Sequence, residues 1–281
     1  MSDISRRSFL TLAGGTIATG ILGACSRDKQ VAQAAQEDTP KMETLEDLPV
    51  PMEEPEPEPE PEQEQESLAL EEDSSGFVLL ADAVPDAIQE IRYYTTFNFV
   101  GDRIDGYEQP VALITREAAE GLRVTSDILL EKGYRLKIFD AYRPQMAVDH
   151  FVRWSEDLED TRMQQYFYPE LDKSVLFDLG YIDRRSGHTR GSTVDLTLFD
   201  MNTEREVDMG GTFDYFGELS HPDYTGITVD QYANRMILRE AMIAGGFTPL
   251  PTEWWHFRLD PEPYPDTYFT FPVSIDSVRT S

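Results

Sequence analysis

The feature that most limits what this chain can fold into is the run Glu54-Pro55-Glu56-Pro57-Glu58-Pro59-Glu60-Pro61. Proline removes the backbone donor that helices and sheets require, and neighbouring like charges repel, so an extended, solvated tether is expected there. Around that run, residues 37 to 73 hold sixteen Asp and Glu against one Lys. The first 73 residues therefore offer almost nothing for a core. Of the 281 residues, roughly 200 remain to fold, enough for one compact domain with a sizeable core and no disulfide.

The formal charge of -29 argues against a nucleic-acid partner, whose phosphates demand a basic footprint. About half of the excess sits in the acidic segment, so it does not reveal what the folded part binds. The only cysteine is Cys25. No intramolecular disulfide and no thiolate-rich metal site can form, and any metal in the folded part must be held by His and carboxylates.

The N-terminus reads Ser5-Arg6-Arg7-Ser8-Phe9-Leu10, with a modest apolar stretch from Leu10 to Leu22. That stretch is too short and too rich in Gly and Thr for a span of about 20 residues, and it reads as a signal peptide. The paired arginines resemble a twin-arginine export signal. Leu22-Gly23-Ala24-Cys25 resembles a lipobox, in which Cys25 becomes the lipidated first residue. The expected organisation is an export signal over 1–25, a disordered acidic Glu/Pro-rich tether over 26–75 and a folded domain over 76–281. Such a protein is expected outside the cytoplasmic membrane, touching it only through its N-terminal lipid. No feature sets an oligomeric state.

From Phe77 the composition becomes that of a globular domain. Residues 115 to 133 predict a helix with Thr115 as N-cap, Glu117 in the first turn and Gly133 closing it. A strand follows over 135–141, and Pro144 is placed to start a helix running through His150 to Trp154. Short strands are expected over 194–199 and 254–259, with an amphipathic helix over 230–244 stopped by Gly245-Gly246. Helices interleaved with short strands give an α+β domain, expected as a central, mainly antiparallel sheet flanked by helices.

Four histidines occur, and two lie in dense local contexts, Ser186-Gly187-His188-Thr189-Arg190-Gly191-Ser192-Thr193-Val194-Asp195 and Glu253-Trp254-Trp255-His256. A catalytic zinc takes three protein ligands and keeps one open position, which imidazoles with one carboxylate can provide. A turn at Gly191 would bring His188 and Asp195 to one ion. Glu253 and His256 differ by three residues, which places them on opposite faces of a regular strand. A helical turn would bring them together, yet Trp-Trp-His-Phe favours strand, and both readings stay open.

These two motifs, in this order, resemble the Ser-x-His-x-x-Gly-x-x-x-Asp and Glu-x-x-His signatures of the VanX-type D-alanyl-D-alanine dipeptidases. The similarity extends from about Ile91 to about Pro272 and includes Arg92-Tyr93, Asp140-Ala141-Tyr142-Arg143-Pro144, Phe213-Asp214 and Pro263-Tyr264-Pro265. The resemblance implies one Zn2+ per chain held by His188, Asp195 and His256, with Glu253 as general base. It also implies that Arg143 stabilises the transition state and that Tyr93, Ser186 and Asp214 bind the ends of a D-amino-acid dipeptide. Gly187 and Thr193 depart from the family pattern, beside ligands rather than at them. Two other readings share these residues: a peptidoglycan D,D-carboxypeptidase with a more open cleft, and a wall-binding module that keeps the zinc scaffold without turnover. The presence of both Glu253 and Arg143 favours catalysis.

Overall fold

The computed structural model describes residues 69–279. The export signal, Cys25 and most of the expected tether lie outside the described residues. In chain order the elements are β1 (Ala69–Glu71), β2 (Phe77–Leu79), α1 (Leu80–Ala83), β3 (Ile88–Gln89), β4 (Leu113–Thr115), α2 (Arg116–Glu131), β5 (Tyr134–Asp140) and α3 (Gln145–Glu156). They continue as α4 (Gln164–Phe167), β6 (Thr193–Asp200), β7 (Arg205–Glu206), α5 (Val229–Ala244), β8 (Phe247–Pro249), β9 (His256–Leu259), β10 (Thr267–Phe269) and α6 (Ile275–Arg279). This is a mixed α/β architecture.

Folding starts earlier than the expected boundary at residue 76. Ala69–Glu71, assigned from sequence to the tether, pairs in parallel with β10, and the Ser74 hydroxyl donates to the Ser277 carbonyl. The side chains of β1 are all exposed, so the strand is held by its backbone and leaves no hydrophobic pattern to read.

The central sheet runs β3-β5-β6-β9-β8, with β7 paired to β6. The β3–β5 pairing is parallel, and the other four are antiparallel. Strand β6 is the middle of the assembly and buries six consecutive residues, Thr193 to Leu198, as expected of a strand covered on both faces. A β-bulge between Ile138 and Asp140 shifts the β5 register so that Asp140 stands opposite Asp195. In turn Asp195 stands opposite His256 on β9. Three side chains with acid–base or metal chemistry thus form one row across three strands.

Helix α2 packs through Ala118, Ala119, Leu122, Thr125, Ser126 and Leu129, the i, i+3, i+4 spacing of one helical face. Thr115 occupies its N-cap position without capping it: the Thr115 hydroxyl instead pairs with that of Ser192 at 2.7 Å, fastening α2 to the loop that carries His188. Helix α5 opens with a capping box, Thr228 and Gln231 each bonding the other's backbone N–H. Helix α3 begins directly after Pro144 and buries Ala147, Val148, Phe151, Val152 and Trp154. Aromatic residues fill the space beside the sheet, among them Tyr93, Phe99, Phe151, Trp154, Phe213 and Trp255.

Candidate active site

His188 lies in a short 3-10 turn, Gly187–Arg190, ended by Gly191 with φ of +82°. Only glycine adopts that conformation at low cost, and a Cβ here would stand 2.2 Å from the Phe77 ring. The reversal delivers the chain into β6, seven residues from His188 to Asp195. The Nδ1 of His188 lies 2.7 Å from the Ala141 carbonyl. A carbonyl can only accept, so Nδ1 carries a proton and Nε2 is the nitrogen turned towards the site.

The expected strand over 254–259 starts only at His256. Before it, Glu253, Trp254 and Trp255 make a turn in which the His256 N–H donates to the Glu253 carbonyl at 3.4 Å. The open question of the Glu-x-x-His spacing is thereby answered: the turn puts Glu253 Oε2 3.5 Å from His256 Nδ1. Trp254 and Trp255 are buried and meet edge to face at 5.3 Å, which fixes the turn through packing.

His188 Nε2 lies 3.2 Å from Asp195 Oδ2, His256 Nδ1 lies 3.0 Å from Asp195 Oδ1, and the two ring nitrogens are 3.3 Å apart. All ligand atoms of this trio lie within 4.8 Å of one another. Asp195 Oδ1 is buried without a well-aligned hydrogen bond. Burial raises the Asp195 pKa, but the imidazoles of His188 and His256 outweigh it and hold the carboxyl far below the usual range. Burial pushes His256 down, and Asp195 together with Glu253 more than reverses that. Two nitrogens and one ionised oxygen converging around an underbonded buried atom fit a zinc-type cation.

Glu253 borders this trio with its side chain a third exposed. Burial pushes its pKa up, with His256 pulling the other way. Arg143, which lies three residues after Asp140, donates through Nε to Asp140 Oδ2 at 3.0 Å, and its Nη2 lies 3.6 Å from Asp195 Oδ2. The guanidinium stacks over the Tyr93 ring at 4.9 Å and the Phe151 ring at 5.2 Å. Asp140 also accepts from the Tyr107 hydroxyl at 2.6 Å and approaches His188 Nδ1 to 3.6 Å. Sequence reasoning gave Asp140 and Tyr107 no role. The signal for Asp140 was its place three residues before Arg143 in the motif; for Tyr107 there was none.

Asp214 is buried and held at φ of +60°, unusual for a residue with a Cβ. Its Oδ2 accepts from the Tyr93 hydroxyl at 2.9 Å. Burial pushes its pKa well up, aided by the charge of Asp195 and opposed by Arg143. Ser186 accepts from the His188 N–H at 3.3 Å. Every residue proposed from sequence for metal, catalysis or substrate lines one cavity of about 250 Å³, together with Phe151, Tyr181, Phe216 and Leu250. That is below the roughly 300–1,000 Å³ of sites for drug-sized ligands. Of the other two histidines, His150 Nδ1 accepts from the Asp105 N–H at 3.2 Å, a structural contact.

Two imidazoles and a carboxylate arranged as a cation seat, with the Glu253 carboxylate and a buried arginine beside them, define a site of the metallopeptidase class. The family model described as D-Ala-D-Ala dipeptidase, Peptidase_M15, matches residues 73–274. The D-alanyl-D-alanine dipeptidase of Enterococcus faecalis (strain V583) is 40% identical over 200 residues, 71% of this chain and 99% of that protein. The enzyme of the same name from Streptomyces coelicolor is 39% identical over 198 residues, 70% of this chain and 98% of that protein. That from Escherichia coli K12 is 33% identical over 187 residues, 66% and 86% respectively. This chain belongs to the D-Ala-D-Ala dipeptidase family of peptidases.

Proposed function

We infer that this protein hydrolyses the free dipeptide D-alanyl-D-alanine to D-alanine. The observation that carries the reading is the convergence of His188, Asp195 and His256 in a small cavity that also holds Glu253, Arg143 and Asp214. The names of the relatives support the same substrate.

Zinc held by His188, Asp195 and His256 would supply a lowered pKa for the attacking water and polarisation of the scissile carbonyl. Glu253 takes the proton from that water and returns it to the leaving amine. A carboxyl whose proton affinity is raised by burial suits a shuttle that must both accept and release near neutrality. Arg143, charged and fixed by Asp140, stabilises the negative oxygen that develops as the carbonyl becomes tetrahedral. Asp214, with the Tyr93 hydroxyl on it, meets the substrate's ammonium. Ser186 serves the carboxylate end.

The paired Arg6-Arg7 and the Leu22-Gly23-Ala24-Cys25 stretch support a place outside the cytoplasmic membrane, anchored through lipidated Cys25. There the enzyme would recover D-alanine from wall turnover.

A substrate panel on the zinc-loaded protein tests the reading: D-Ala-D-Ala, its L,L counterpart and a pentapeptide ending in D-Ala-D-Ala, beside Glu253→Ala. Turnover of the free D,D-dipeptide alone, lost in Glu253→Ala with zinc content unchanged, is expected. Release from the pentapeptide at comparable efficiency would make the protein a wall carboxypeptidase, and no turnover of any peptide would make it a binding module.

A further inference from the structure

Arg235, in α5, is a buried charge that the reaction above does not use, 1% exposed. Its Nε donates to the Met209 carbonyl at 2.7 Å, Nη1 to the His221 carbonyl at 2.8 Å and Nη2 to the Leu219 carbonyl at 2.9 Å. The guanidinium also sits 5.7 Å over the Trp254 ring. Burial lowers its pKa to about 10, so it stays charged at neutral pH, balanced by three carbonyl dipoles. An unpaired buried cation is costly. An apolar side chain would remove that cost but leave three carbonyls without donors.

Those carbonyls belong to the two stems of one loop. It runs from Met209 to His221, and near its middle stands Asp214 in its left-handed conformation. Among the described residues, no backbone–backbone hydrogen bond joins Met209–Gly211 to Leu219–His221. Arg235 supplies that closure. The stems are close enough at Gly211 that a Cβ would meet Leu219 Cγ at 3.1 Å and Arg235 Nη2 at 3.5 Å. The second stem is fixed in turn by the Trp254 N–H, which donates to the Ser220 carbonyl at 2.9 Å. A loop with no strand of its own is thus pinned at its base by one forked, planar donor, the geometry at which arginine excels and lysine does not.

We propose that Arg235 is a positioning residue for substrate recognition: by clamping the stems of the Met209–His221 loop it holds Asp214 where the dipeptide's ammonium binds. The proposal rests on the reading of Asp214 as the ammonium's partner. Arg235 is not among the catalytic or metal-binding residues; because it also lies over Trp254, next to Glu253, an effect through Asp214 is recognised by its selectivity for the substrate that carries the ammonium.

The test compares wild type, Arg235→Lys, Asp214→Asn and the double variant on D-Ala-D-Ala and on propionyl-D-alanine, the same skeleton without the ammonium. Zinc content is measured alongside. Arg235→Lys keeps the charge, and Arg235→Gln is the second variant should lysine not fold. Expected is a fall in kcat/KM for the free dipeptide on the order of 10- to 100-fold, mostly in KM, with zinc retained. Turnover of propionyl-D-alanine is little changed, and adding Arg235→Lys to Asp214→Asn costs little more. Equal proportional losses on both substrates, or losses that multiply in the double variant, would overturn the proposal, since the effect would then not pass through Asp214. Failure of the underlying reading would look different: wild type would show no preference for the substrate with the ammonium, or Asp214→Asn would leave that preference intact.

Discussion

The Tyr93 hydroxyl donates to Oδ2 of Asp214 at 2.9 Å, joining side chains 121 residues apart in the chain. Burial, then the charge of Asp195, raises the Asp214 pKa well above the usual carboxylate range. The folded protein therefore binds this proton more tightly than the unfolded chain. Its contribution to stability is full below the unfolded pKa and is lost as pH rises through the folded one. An ammonium prefers the ionised carboxylate, so dipeptide binding to the protonated form releases a proton. KM for D-Ala-D-Ala should fall as pH rises through the raised Asp214 value, and this limb should be missing from the pH profile of Asp214→Asn.

Arg143→Lys separates charge from shape. The guanidinium reaches Asp140 through Nε while lying over Tyr93 and Phe151, and an ammonium cannot do both. The kcat should drop about 10²- to 10³-fold with zinc content unchanged. An equal loss of zinc would mean that Arg143 acts by supporting Asp195 and not on the developing oxygen.

Chelation should abolish activity, and stoichiometric zinc should restore it. His256→Ala removes one of the three residues proposed to hold zinc and leaves Asp195 buried beside a single imidazole, so metal content at equal free zinc should fall. Glu253→Ala should leave it intact. Metal analysis by mass spectrometry on both variants distinguishes a ligand from a base.

Gly191→Ala should damage fold and site together. The new methyl group meets the Phe77 ring, and φ of +82° penalises any Cβ. A loss of more than about 2 kcal/mol in thermal or denaturant unfolding is expected, along with weaker zinc binding, because the same turn aims His188.

Much of this site was legible because its chemistry lies in short stretches whose residue types are scarce elsewhere, His188 to Asp195 and Glu253 to His256. Helices α2, α3 and α5 carried their apolar spacing and end signals in the sequence, within a few residues at each end. What stayed hidden depends on backbone contacts with no side-chain signature. Strand β1, Ala69-Leu70-Glu71, is exposed along its whole length and is held through its peptide groups. The Trp254-Trp255 pair suggested strand by propensity, whereas a single backbone hydrogen bond makes a turn of it. The role of Asp140 depends on a bulge one residue away, and no local pattern announces where a register will slip.

The row of Asp140, Asp195 and His256 across β5, β6 and β9 makes the site unequally tolerant of change along the gene. Side chains alternate along a strand, so one residue inserted into β6 would turn every later side chain to the other face. The same insertion in a surface loop would pass almost unnoticed. To the three central strands an added codon is a shift of reading frame written in hydrogen bonds, and lineages of this enzyme should vary in length in their surface loops and not there.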